Sequence, residues 1–373
     1  MPVTISVIKA DVGGLVGHTN MHPDLIDAAG EFLDAAVEAG TLHDHTVMAV
    51  GDDLELILTH GHGEESPDIH RLAWDCFVQC AEVADKLGLY GVGQDLREKT
   101  FAGNVTGLGP GSAEIELEDR ASEPLLVFMA DKTDAGCWNL PLFKMFGDPF
   151  NTPGLVIDPK MNKGYSYEVL DLHLDRVADI RLPEELYDLL ALIGSVEHYG
   201  IRRVRRNTDN AVAACTSASK VFQLKGKSVG KDDPVMIVRA QSGYPSVGEL
   251  TEPFAHPHMV AGWMRGSHWG PLMPVPFHQT GMNRFDGPPK VVCAGFQVTA
   301  GKLHGPVDIF DDPAFDGARR EAIEIADYLR KMGPFEPHRF SEGGMEYTSM
   351  PHVLQKLEGR FRPASNPVAV EAK

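Results

Sequence analysis

The chain has 373 residues, 43% of them hydrophobic and 23% charged, with a formal net charge of -19. So acidic a chain is poorly suited to nucleic acid or to an anionic membrane surface, because phosphate backbones need clustered Lys and Arg. The apolar fraction is ample for a buried core, and no low-complexity segment or repeat interrupts it.

Residues 3–10 read as a strand that ends at Asp11-Val12-Gly13-Gly14. The chain opens directly on this pattern, without a basic and then apolar leader, and no run is long enough to span a bilayer. The expectation is a soluble, cytoplasmic protein. His22-Pro23 opens a helix with Leu25, Ile26, Ala29, Phe32, Leu33, Ala36 and Val37 on one face, stopped by Gly40. Residues 46–50 are a second apolar run, ending in Gly51-Asp52-Asp53, and residues 54–59 a third. Ser66-Pro67 caps a helix to about Leu87, before Gly88. Cys76 and Cys80 fall on its apolar face and read as buried thiols. With Cys137, Cys215 and Cys293 they make an odd set without a C-x-x-C, which fits a reducing compartment.

Residues 113–118 alternate apolar with acidic side chains, the pattern of a half-exposed strand. Residues 125–130 are a wholly apolar strand ending at Asp131-Lys132, and residues 167–182 hold one or two more. Pro183 starts a helix through Leu192. Residues 235–240 and 291–299 are apolar strands, and Asp312-Pro313 caps a last long helix to about Lys331. Strands and helices interleave, but several strands are neighbouring hairpin candidates. The fold class is therefore α/β of the mixed α+β kind, a layered sandwich rather than a doubly wound sheet. No linker divides the chain, so residues 1–360 are expected to form one domain with a polar tail at 361–373.

The chemistry lies where apolar strands run into carboxylates, at Asp11, at Asp52 and Asp53, and at Asp131. Carboxylates on adjacent strand ends sit about 4.8 Å apart and repel unless a cation lies between them. An oxygen-rich set of this kind selects Mg²⁺ or Mn²⁺. A further cluster, Gly230-Lys231-Asp232-Asp233-Pro234, directly precedes a strand; such a run usually reads as an exposed turn, but if Asp232 and Asp233 join the metal rim, Lys231 is a phosphate clamp or a Schiff-base amine. Lys132 and Arg265 are candidate phosphate ligands. The pairs His43-Asp44-His45 and His60-Gly61-His62 raise a zinc reading, which the acidic ligand set disfavours. The glycine-rich segment 102–111 lacks the Gly-Lys-Ser/Thr of an ATP loop.

Taken in order, these segments resemble a known family, the bifunctional fructose-1,6-bisphosphate aldolase/phosphatases. The resemblance is carried by Lys9-Ala10-Asp11-x-Gly13-Gly14-x-x-Gly17-His18, Gly51-Asp52-Asp53, Gly91-x-Gly93-Gln94-Asp95 and Ala102-Gly103-Asn104-Val105. It continues through Asp131-Lys132-Thr133, Gly230-Lys231-Asp232-Asp233-Pro234, Gly266-Ser267-His268-x-Gly270-Pro271 and Glu346-Tyr347. The resemblance implies a four-layer α-β-β-α sandwich assembled as a homo-octamer, acting on fructose 1,6-bisphosphate and on triose phosphates, with several Mg²⁺ ions. It implies Asp11, His18, Asp52, Asp53, Gln94, Asp131, Asp232 and Asp233 as metal ligands, with Asp11 also the proton acceptor. His18, Tyr90, Gly103, Asn104, Lys132, Gln241, Ser242, Arg265, Asp286 and Tyr347 would line the sugar-phosphate site, and Lys231 would form the Schiff base of an aldolase step. One position departs from the pattern: Ser228 stands where the family has an acid/base tyrosine. A serine hydroxyl is shorter and far less acidic than a phenol, so weak aldolase activity is expected, with Tyr244 the one nearby candidate to replace the phenol.

Overall fold

The computed structural model describes residues 2–96, 110–117, 122–217, 219–220 as backbone, 233–333, 335–341 and 349–364. Two antiparallel sheets are stacked face to face. The first has the order β10 (Ser219–Lys220), β4 (Gly111–Leu117), β1 (Val3–Asp11), β3 (Asp53–His60), β2 (Asp44–Val50). In the second, β15 (Lys290–Thr299), β5 (Glu123–Asp131), β11 (Val235–Arg239), β9 (Val212–Thr216), β8 (Tyr199–Arg206), β6 (Tyr165–Asp171) and β7 (Arg176–Arg181) follow one another. At its edge β14 (Met273–Pro274) joins β15 in parallel and β16 (Lys302–Asp308) pairs with β15. A small ribbon of β12 (Met259–Gly262) and β13 (His268–Pro271) stands apart.

Alternation along the strands fixes the layers, because successive side chains point to opposite faces. Ile5 and Val7 of β1, Ile57 of β3 and Ile115 of β4 meet Val127 and Met129 of β5, Ile237 of β11 and Val292 of β15 between the sheets. The other parity, Ile8 and Ala10 with Leu54, Leu56 and Leu58, packs outward on α1 (Pro23–Glu38) and α2 (Pro67–Leu87). On the far side, Leu126, Phe128 and Ala130 pack on Trp138 and on Leu142, Met145 and Phe146 of α3 (Asn139–Gly147). The order is helix, sheet, sheet, helix, as the resemblance implied. All five cysteines are buried and unbridged. No helix among the described residues is long and apolar enough to cross a membrane.

One strand departs from expectation. The alternation over residues 113–118 predicts a half-exposed β4, yet β4 is buried along nearly its whole length. α2 covers its acidic face, and Glu114 is satisfied there: Ser6 Oγ donates to its Oε1 at 2.5 Å and the Glu65 amide to its Oε2 at 2.6 Å. The helix expected from Pro183 begins instead at Leu186.

Candidate metal and phosphate site

The inter-sheet parity that is apolar in mid-strand turns acidic at one end. In β1 the sequence on that face is Ile5, Val7, Lys9, Asp11. In β3 it is Ile57, Glu55, Asp53, and in β5 it is Val127, Met129, Asp131. Asp11 and Asp53 are direct cross-strand partners. Asp52 sits in the turn between β2 and β3, and Asp233 just before β11. Asp11, Asp52, Asp53, Asp131 and Asp233 are each at most 8% exposed.

They form two groups of potential ligands, Asp11 with His18 and Asp52, and Asp53 with Asp131 and Asp233, with ligand atoms within 4.8 Å of one another in each. His18 Nδ1 is 2.5 Å from Asp52 Oδ2 and 3.7 Å from Asp11 Oδ2. Lys132 Nζ bridges the two groups, 3.0 Å from Asp52 Oδ1 and 2.8 Å from Asp131 Oδ1. Asp233 is locked to the Lys132 turn, because the Thr133 amide donates to its Oδ1 at 2.9 Å and its own amide donates to the Thr133 carbonyl.

Burial, reinforced by neighbouring carboxylates, holds Asp11 and Asp131 well above the usual carboxylate range. Burial acts on Asp52 in the same direction, but Lys132 and His18 outweigh it and hold Asp52 well below that range. Burial would lower the Lys132 pKa, yet Asp131 and Asp52 drive it well above the ordinary lysine value. Two rim oxygens, Asp131 Oδ2 and Gln94 Oε1, are buried without a hydrogen-bond donor. A set of carboxylate oxygens, one imidazole and unpartnered oxygens fits hard divalent cations. Gly51 is required here: its φ is +62° and a Cβ would lie 1.6 Å from Asp131 Oδ2.

Other expected residues surround this rim. Tyr90 meets His18 edge-on with ring centroids 4.8 Å apart, and Gln94 and His18 flank Gly91. Gly262, where a Cβ would approach the Lys132 carbonyl to 2.8 Å, brings the Arg265 turn against Lys132. The Asp286 turn is adjacent, with Gly287 packed on Trp263 Nε1. Gln241 and Ser242 are not brought to the rim. They follow the far end of β11, where the Ala240 amide donates to the Pro124 carbonyl, and the five residues of β11 span about 17 Å. Tyr244 sits at that same far end, between Arg206 and Arg239, so it does not replace the phenol at the rim of its own chain. Gly103, Asn104, Ser228, Lys231, Asp232 and Tyr347 lie outside the described residues. The His-x-His pairs enter no ligand group among the described residues; His60 is instead hydrogen-bonded to Ser6 Oγ at 2.8 Å.

Three residues of the site had no role assigned from sequence. Lys9, fully buried, places Nζ 2.5 Å from Asp53 Oδ2 and 3.7 Å from Asp233 Oδ2. Glu55, its cross-strand partner, is fully buried with both oxygens unpartnered, and burial holds it well above the carboxylate range. Asp95 Oδ2 accepts from the Asp11 amide at 3.0 Å. For Lys9 and Glu55 the available signal was an ionisable residue at an inward parity of an apolar strand; Asp95, in the 3-10 turn Gln94–Leu96, had no such signal.

A family model described as Fructose-1,6-bisphosphatase matches residues 2–362. The chain is 57% identical over 363 residues to a protein of Ignicoccus hospitalis named fructose-1,6-bisphosphate aldolase/phosphatase, covering 97% of this chain and 94% of that one. Proteins of the same name from Moorella thermoacetica (57% identical; 96% of this chain, 94% of the relative) and Methanothermobacter marburgensis (53%; 97% and 99%) are similarly close.

Proposed function

This chain belongs to the fructose-1,6-bisphosphatase family, and from that premise we propose that it hydrolyses fructose 1,6-bisphosphate to fructose 6-phosphate at the carboxylate rim. The observation that carries the reading is the meeting of Asp11, Asp52, Asp53, Asp131 and Asp233, from separate strand ends, around Lys132. Mg²⁺, with Mn²⁺ as a substitute, is the cofactor this donor set favours, in several copies held by these aspartates with His18, Gln94 and Asp232. Such ions neutralise phosphate charge and stabilise an in-line displacement. The chain's own groups do the rest: Lys132 and Arg265 bind phosphate oxygens, Asp11 accepts a proton from the attacking water, and Tyr90 and Asp286 orient the sugar. The reading includes a cytoplasmic location, with no nucleic-acid or membrane partner. It also includes a homo-octamer, supported by the position of Gln241 and Ser242: a neighbouring copy would bring them to a rim that their own strand keeps them from.

Phosphate release from a panel of sugar bisphosphates, with and without Mg²⁺, tests this. Fructose 1,6-bisphosphate should lead the panel and Asp52→Ala should abolish release. Near-normal turnover by Asp52→Ala would overturn the assignment. The relatives' names include an aldolase activity, and we propose that any such activity of this chain runs through a Schiff base of triose phosphate at Lys231, weakened because Ser228 removes a general acid/base.

A further inference from the structure

Two turns beside the rim have non-glycine residues in the left-handed region. One is Met264 (φ 48°) and Arg265 (φ 61°); the other is Phe285 (φ 56°) and Asp286 (φ 58°). Such residues are strained and persist only where their surroundings over-determine them. In both turns the first residue is apolar and the second is the one assigned to substrate.

The same side chain touches both apolar residues. Arg330, at the end of the helix Asp316–Arg330, donates from Nη1 to Met264 Sδ at 3.3 Å, and its guanidinium lies 4.3 Å from the centroid of the Phe285 ring. Glu336 Oε1 fixes Arg330 from behind at 2.5 Å, and Glu336 Oε2 is 3.1 Å from His268 Nε2. His268 is bridged to Trp263 across the base of the first turn. The path Met264, Arg330, Glu336, His268, Trp263 thus encircles the Arg265 turn. The Arg265 guanidinium itself makes no hydrogen bond or ion pair to any described residue, so nothing but its backbone fixes where it starts.

We propose that Arg330 and Glu336 are positioning residues that hold these two turns, and through them Arg265 and Asp286, against the rim. The proposal rests on the phosphatase reading of the site. A planar guanidinium can meet a sulfur, a carboxylate and an aromatic face together, which an ammonium does not reproduce. Loosening the turns should weaken substrate binding while leaving the carboxylates in place.

The test is steady-state phosphate release from fructose 1,6-bisphosphate with Mg²⁺, comparing Glu336→Gln, Arg330→Lys and Arg265→Ala. Both positioning variants should raise KM roughly tenfold or more, with kcat changing much less. Adding Glu336→Gln to Arg265→Ala should cost far less than the product of the single effects. A merely structural role would lower the active fraction, and so kcat, at unchanged KM; that result overturns the proposal, as does full additivity. If Glu336→Gln does not fold, Arg330→Lys carries the same test, because it keeps the charge. If Arg265→Ala leaves KM unchanged, the phosphate role of Arg265 falls and the proposal with it. If Arg265→Ala raises KM but the other two variants do not, positioning alone is wrong.

Discussion

Lys9 and Asp53, on adjacent strands, are joined by a 2.5 Å contact in which the lysine is fully buried. The ammonium also lies 3.7 Å from Asp233, so one buried cation faces a carboxylate group from behind. Removing one partner of a buried ion pair typically costs about 3–5 kcal/mol. Lys9→Met should therefore lower the unfolding free energy by about that much in chelator. Divalent cation should restore part of the loss, since it supplies charge at the same carboxylates. Denaturant unfolding with and without Mg²⁺ checks this; an equal loss under both conditions would mean that Lys9 acts by packing alone.

Gly51→Ala should disable the site while leaving most of the fold. The new methyl would overlap Asp131 Oδ2 and would carry a positive φ. Displacement of a ligand by about 1 Å can cost about 10²-fold in rate. Activity should fall by roughly that factor, and Mg²⁺ should raise the melting temperature less than in the unaltered protein.

Part of this architecture was legible in the sequence. Asp11, Asp52, Asp53 and Asp131 stood out because each ends an apolar run; strand period puts Asp11, Asp53 and Asp131 on the inter-sheet face, and the β2–β3 turn adds Asp52. Lys9 and Glu55 did not: each is a single charge inside a run read as an apolar strand, residues 3–10 and 54–59, with no neighbouring carboxylate run to mark it. β8 was not predicted: Arg202, Arg203, Arg205 and Arg206 leave it no apolar alternation, and Arg203 pairs with Glu64 at 2.6 Å and Arg205 with Glu168 at 3.1 Å. Asp233 and Gln241 flank the strand predicted at 235–240, so their separation by its length was legible, although the resemblance implied both at one site.

Burial holds His60 down at about 4. An unfolded histidine titrates near 6.5. The folded protein therefore binds fewer protons than the unfolded chain between those values, and the stability tied to this group is complete above about pH 6.5. It declines as the pH falls toward about 4, by about 3 kcal/mol in all. His60→Gln should flatten the stability profile over that window relative to the unaltered protein. Unfolding curves between those limits would show it, and an unchanged slope would exclude His60 as the source.

Ser228→Tyr should strengthen aldol cleavage more than it alters phosphate release. Restoring a general acid/base is worth about 10²–10⁴-fold. Borohydride reduction in the presence of dihydroxyacetone phosphate, followed by mass analysis of the peptide holding Lys231, reports whether the amine forms the adduct in either protein. An adduct without faster cleavage in Ser228→Tyr would move the limitation elsewhere.

Asp11, Asp53 and Asp131 occupy the same parity of the same strands as the aliphatic side chains that glue the sheets. Inserting or deleting one residue within β1, β3 or β5 would turn both sets outward together. Such a lesion should give an insoluble chain rather than a well-folded inactive one, so a screen for soluble expression would by itself discard variants whose strand register has slipped.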